Sequence, residues 1–431
     1  MNLPAIKHPA RRLTPILLLL LLCTGRMAFG LTLDEALALA RKNMPNYQAT
    51  LKKVSSSEAL YKASLSPYLP SVDGTASADQ HHASEGTYNT HNYKLGLTYT
   101  LFDGGKRSAN RKIAGANLEV DRQEARKTLI DLLYQVTDSF FATLARRDMA
   151  TQRRMQLTYA KKDHEVAKGR NRLGLVKRSD VLQALVRLEQ ARYNVIQSEG
   201  DMKKSLAELN SLIGAPLSTP QPLAGRLEGA IRPPDEAKLN EAARLRPEIV
   251  QAERGIEIAK GNRAVARSAF FPLISANAAH ESNDSGIYRT SYPDEDIVWV
   301  SANWNFFEWG KFHKAAAASR DLEGAEFKLQ EAQRAVLLDL DKAREDFLTA
   351  QEKMHAANQQ QDYAEHNYRQ ALGEYQVGKG DILSLVQSES LLADAKGQLI
   401  DAKLAVITTK VEWEKSAGML PEEAGQEFVL R

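Results

Sequence analysis

Few residues in this chain have the type and spacing to do chemistry. Four histidines, His81, His82, His91 and His280, fall at or near stretches that read as exposed loops, and imidazoles there could hold a metal. Their spacing matches no zinc-ligand signature, so solvated loop histidines are the simpler reading. Cys23 is the only cysteine and lies in an N-terminal apolar run, so the residues after it have no disulfide, thiolate nucleophile or cysteine metal site. Gly104-Gly105 has too poor a context to cradle phosphate and suits a turn from strand to helix. No nucleophile elbow, phosphate loop or HExxH motif is present. These residues point away from an enzyme, a cofactor and a metal site.

The N-terminal 30 residues read as a secretory signal. Lys7, Arg11 and Arg12 precede an apolar run from Ile16 to Cys23, and Ala28-Phe29-Gly30 is a small-x-small cleavage site. The three leucines before Cys23 lack the small residue that lipidation wants. Removing residues 1–30 takes away Lys7, Arg11, Arg12 and Arg26 and no acid, leaving 53 basic against 54 acidic residues. A nearly neutral mature chain gives no argument for nucleic acid binding. Beyond the signal no stretch approaches the roughly 18 apolar residues of a membrane helix. An exported membrane chain of this kind must cross as a closed barrel.

The rest is two copies of one unit at a spacing of 205 residues, Phe102-Asp103-Gly104-Gly105-Lys106 recurring as Phe307-Glu308-Trp309-Gly310-Lys311. Before each motif the residues alternate in the same phase: Tyr93, Leu95, Leu97, Tyr99 and Leu101 match Val298, Val300, Ala302, Trp304 and Phe306. Apolar and aromatic residues on one face and mostly polar ones on the other form the pattern of a barrel strand, with Tyr99, Leu101, Trp304 and Phe306 expected to face lipid. Ser71–Gln80 and Leu273–His280 read as partner strands, and 81–91 and 281–296 as polar loops. Four strands cannot close a membrane barrel, which starts at about eight, so the chain must oligomerise, and three copies give twelve.

Proline is absent between Pro70 and Pro216 and between Pro293 and Pro421, which leaves room for long helices. Apolar residues recur there at intervals of three and four: Leu129, Leu133, Val136, Phe140 and Leu144, then Val336, Leu340, Ala343, Phe347 and Ala350. With turns at Gly174 and Gly378, the long helices span 106–172 and 311–377, about 100 Å each. Shorter segments, 33–64 with 179–214 and 242–270 with 381–418, would stack end to end beside them. The units are then a first repeat over 31–214 with strand pair 71–102 and tip 173–180. A linker over 215–240 leads to a second repeat over 241–418 with strand pair 273–307 and tip 378–381, and a tail follows over 419–431.

This order of half-helix, strand pair, FDGG-type turn, long helix, glycine-marked tip and returning helix, present twice after a signal, resembles the TolC family of outer membrane efflux proteins. The resemblance implies an α+β membrane protein, a homotrimer with a twelve-stranded outer membrane β-barrel continued by a periplasmic α-barrel, and 215–240 with the tail in an equatorial region. It implies a passive duct for efflux or type I secretion, served by a periplasmic adaptor and an inner membrane pump that selects the cargo. At the tips it implies adaptor contact around Arg170, Gly174, Leu175, Val176, Ser179 and Gly378. It also implies a gate in which Asp180 meets Tyr375 and a basic residue, Lys379, on the neighbouring hairpin, while Asp381 lines the pore as an acidic ring. The heptads alone would also suit a soluble periplasmic coiled-coil scaffold or adaptor; the duplicated strand pair in matched phase speaks for the duct.

Overall fold

The computed structural model describes residues 30–84, 86–227, 231–285 and 292–421. Residues 1–29, which hold Cys23 and nearly all of the expected signal, and most of the expected C-terminal tail lie outside the described residues. Helices α1 (Leu33–Asn43) and α2 (Pro45–Ala63) lead into strands β1 (Ser71–Ala83) and β2 (Gly86–Phe102). The long helix α3 (Lys106–Arg172) and the returning α4 (Arg178–Leu212) complete the first half. The second half runs α5 (Glu236–Ala243), α6 (Pro247–Ser268), β3 (Leu273–Ser285), β4 (Tyr292–Asn303), α7 (Trp309–Gln376) and α8 (Ile382–Ser416). Among the described residues no helix is long and apolar enough to cross a membrane.

The long helices are held at mid-length. Leu133, Val136, Phe140 and Leu144 of the first apolar stripe are fully buried, joined by Leu37, Leu209 and Ile213. Val336, Leu340, Ala343, Phe347 and Ala350 form the equivalent cluster on α7, with Leu239, Ile249 and Trp413. Each half-helix pair meets end to end beside its long helix. Asn43 Nδ2 donates to the Ile213 carbonyl at 3.0 Å, and Arg246 Nη1 to the Ser416 carbonyl at 3.1 Å. Both joints link residues 170 apart, so the duplication extends to tertiary contacts.

Several expected boundaries are corrected. The first half-helix breaks at Met44, because Pro45 opens α2 and supplies no N–H to continue the α1 ladder. The 215–240 stretch is not all linker, since Asp235 caps α5 by accepting from Ala237 and Lys238 N–H. The 81–91 stretch is not a loop: β1 and β2 stay paired out to Ala83↔Gly86. Its polar residues still satisfy a backbone ladder, and His81 stacks on Tyr88 with ring centroids 4.9 Å apart. In the second copy β3 likewise extends to Ser285.

Candidate functional site

The strands form one antiparallel sheet in the order β1-β2-β3-β4. Its register sorts side chains by face. Val72 lies opposite Leu97, Leu97 opposite Ala278 and Ala278 opposite Val298, while Tyr99, Ala276 and Val300 form the next apolar row. Val298 is 82% exposed and Val72 64%, so this apolar face is uncovered by the chain itself. The opposite face carries a hydrogen-bonded network. Thr98 Oγ1 donates to Asn277 Oδ1 at 3.2 Å, Asn277 Nδ2 to Ser301 Oγ at 3.1 Å, and Lys94 pairs with Glu281 at 2.6 Å.

Three of the residues expected to face lipid, all exposed, lie outside the regular ladder at the strand ends. Trp304 and Phe306 lie beyond β4, whose last pair is Asn303 with Leu273. The next partner would be Pro272, which has no N–H to give the ladder; Trp304 instead donates its indole N–H to the Phe270 carbonyl. Leu101 sits at a register shift between Thr100 and Phe102, so Phe102 and not Leu101 lies opposite Ile274.

At the sheet's lower rim the two halves solve one problem with different residues. Asp103 accepts from the backbone N–H of Gly105 and Arg107, while Gly104 and Gly105 take positive φ values of 66° and 86°. Gly104 also packs where a Cβ would come within 2.8 Å of the Ser268 carbonyl oxygen. The second copy lacks this left-handed pair, and α7 starts at Trp309. In both copies a cation clamps the preceding carbonyls: Arg107 Nη1 donates to Thr100 O at 2.6 Å and Lys311 Nζ to Asn305 O at 2.5 Å. That bond, with the Phe270 ring 5.2 Å away, satisfies the Lys311 charge at 3% exposure.

The far ends of the long helices form the tips. Gly174 and Gly378 adopt φ values of 73° and 78°, and Leu175 N–H and Lys379 N–H return to the carbonyls of Arg170 and Glu374. Leu175 is 64% exposed. Within the chain Asp180 does not contact Tyr375; its carboxylate faces the Ser179 hydroxyl at 3.1 Å. The Tyr375 partner is Arg170, whose Nη1 donates to the Tyr375 carbonyl at 2.9 Å and whose guanidinium lies 4.7 Å from the ring centroid. Arg170 reaches Tyr375 because both end their long helices at equivalent positions, whereas Asp180 has passed the turn into α4. Lys379 is exposed on the second tip. Asp381 caps α8, accepting from Ser384 N–H at 2.7 Å, and that backbone bond holds its carboxyl below the usual carboxylate range.

Behind the tips lies a polar cluster that sequence reasoning missed. Arg187 on α4 meets Glu389 on α8 at 3.5 Å, and Glu389 is 4% exposed with Oε1 unpartnered. Burial pushes the carboxyls of Glu389 and Asp163 up, and it pushes the Tyr368 hydroxyl up to about 12, helped by those two negative charges. Asp163, Tyr368 and Tyr375 share a cavity of about 300 Å³, and the buried Tyr375 hydroxyl has no partner. One sequence signal existed: Glu389 interrupts a buried stripe of Leu385, Ser388 and Leu392. Among the described residues no group of three or more His, Cys, Asp or Glu side chains could hold a metal ion.

The comparisons with known proteins agree with this architecture. Protein CyaE of Bordetella pertussis is 26% identical over 84% of this chain and 78% of its own length. The alkaline protease secretion protein AprF of Pseudomonas aeruginosa is 24% identical over 93% and 87%. The outer membrane protein VceC of Vibrio cholerae shares the fold, with a TM-score of 0.80 over 90% of this chain and 96% of that one at 16% identity. None of these supports a soluble scaffold or adaptor. The family model described as outer membrane efflux protein matches residues 36–215 and again 239–419, once for each structural half. The chain therefore belongs to the outer membrane efflux protein family, channel proteins of the outer membrane that extend into the periplasm.

Proposed function

We propose that three copies of this chain close into one duct, a twelve-stranded barrel in the outer membrane continued by a periplasmic α-barrel. Substrates pass through it passively, delivered by a periplasmic adaptor and an inner membrane pump. The observation that carries this reading is the pair of open sheet edges: β1 and β4 are outermost, and one sheet face is apolar and uncovered. In lipid an unpaired edge leaves backbone groups unsatisfied, so β4 needs a β1 from a neighbour, and a head-to-tail contact of this kind closes a ring. The outermost helices support the same closure, because Val186, Tyr193 and Ile196 on α4 and Phe327, Leu337 and Tyr363 on α7 are exposed. Relatives named for efflux, such as the toluene efflux pump outer membrane protein TtgC of Pseudomonas putida, stand beside AprF, named for secretion. The proposal is therefore made for the duct and leaves the cargo to the pump.

At the tips the proposal keeps the adaptor contact at Gly174, Leu175 and Val176, flanked by Arg170, Ser179 and Gly378. It places Asp180 and Lys379 against the neighbouring copy and Asp381 towards the pore axis. The exposure of Leu175 and the lack of any contact between Asp180 and Tyr375 within the chain support this. The mass of the detergent-extracted protein tests the assembly: three chains are expected, and a uniform monomer or dimer would contradict the duct.

A further inference from the structure

Beneath the sheet, an opening of about 1010 Å³ lies between α2, α3 and α6. Tyr61, Arg111, Lys112 and Lys260 line it. The two long elements are in close register there, since a Cβ on Gly261 would strike Ile113, so Lys260 stands level with Arg111 and Lys112. Arg111 is preset by Tyr61: its guanidinium lies 4.8 Å from the ring centroid and Nη2 donates to the Tyr61 hydroxyl at 3.3 Å. Its Nη1 is shielded from water and has no acceptor. A guanidinium N–H left so is costly, and its fork fits phosphate oxygens. Arg254 also lines the opening, roughly two turns lower, but Glu257 holds it at 2.7 Å, and it lies outside the proposed site.

The opening is basic at its upper end, nearest the sheet, while Glu119 and Glu257 line its lower end beside Arg254. From Lys106 to Leu118, α3 carries Lys106, Arg107, Arg111 and Lys112 and no acid; from Ile258 to Ser268, α6 carries Lys260, Arg263 and Arg267 and no acid. Immediately above, Phe102, Phe271, Phe306, Phe307 and Trp309 are exposed in a band where strands give way to helices. Exposed aromatic girdles of this kind mark the edge of a bilayer's hydrocarbon. Arg111 follows Gly105 by six residues, about 9 Å of helix, and the headgroup layer reaches about 5–7 Å below the hydrocarbon, within reach of a long side chain.

We propose that Arg111, Lys112 and Lys260 bind the phosphate of an anionic phospholipid from the periplasmic leaflet, anchoring the duct at the level of its aromatic girdle. The inference rests on the membrane placement of the sheet. Native mass spectrometry of the purified full-length protein, with added phosphatidylglycerol or phosphatidylcholine, tests it. The unmodified protein should retain phosphatidylglycerol over phosphatidylcholine by about fivefold or more, the scale of one interfacial cation. Arg111→Gln should abolish the preference without changing the oligomer mass, and Lys112→Gln with Lys260→Gln, both exposed positions, should do the same if the first variant folds poorly. Equal retention of the two lipids, or variants that keep the preference, would overturn the proposal. Displacement of the lipid by equimolar inorganic phosphate would overturn it as well, by assigning the site to free anions. A failure of the membrane reading would show separately, as protein released from membranes by salt without detergent.

Discussion

Arg170 and Glu389 both tie one helical hairpin to the other near the tips. Arg170 joins α3 to the end of α7 through a charged hydrogen bond and its stacking on Tyr375, and Glu389 joins α8 to Arg187 on α4. A hydrogen bond to a charged group is worth about 1.5–3 kcal/mol, less where water screens it. Arg170→Ala should therefore raise the open population of the entrance by up to about tenfold, read as single-channel conductance, with assembly unchanged. Under the proposed gate, Glu389 should give the entrance a pH dependence. Burial raises its carboxyl above the ordinary 4.5 and that of Asp163 above its own ordinary 3.8, so the packed tip favours the protonated forms. Their contribution to packing is fully present below the ordinary value and is lost as pH rises through the raised one. Conductance should then climb with pH above about 4.5 and flatten in Glu389→Gln. A slope that survives this substitution and Asp163→Asn together would show that other groups set it.

Among the elements, the turn from β2 into α3 is constrained both by backbone conformation and by packing. Gly104 combines positive φ with a close approach to Ser268, while Gly105 has positive φ and open space around its missing Cβ. Gly104→Ala should lower thermal stability well beyond the roughly 1–2 kcal/mol expected of Gly105→Ala from backbone strain alone; equal losses would contradict the packing argument. Much at this scale was legible in the sequence. Proline-free windows and apolar spacing mark the helices because a helix interior excludes proline and one face must be buried. Glycine marks the tips because the reversal needs a left-handed residue at Gly174 and Gly378. Other features were not legible. Polar 81–91 reads as loop by composition, yet a hairpin that need bury neither face can extend through it. Trp304 continues the alternation, but the missing N–H of Pro272, 32 residues earlier, ends the ladder. Arg170 with Tyr375 and Arg187 with Glu389 are contacts over about 200 residues that no local spacing encodes.

For the molecule as a whole, the sheet is the part that a lone chain leaves incomplete. The proposed assembly accounts for its apolar face and two free edges together, with lipid covering the face and other copies covering the edges. A charge on that face should cost about 2–4 kcal/mol near the bilayer midplane. Val298→Arg, near the middle of β4, should sharply reduce the yield of assembled protein, while Ser301→Arg on the networked face should be tolerated. Equal tolerance would argue against a barrel. The central claim is that assembled copies form a continuous conduit from a narrow helical entrance through the membrane. Adding the detergent-extracted protein to a planar lipid bilayer and recording current tests this most directly. Discrete, long-lived conductance steps of uniform size are predicted, one for each inserted assembly, with larger steps for Arg170→Ala. A bilayer that stays silent, or shows only irregular leak, with protein demonstrably inserted would contradict it.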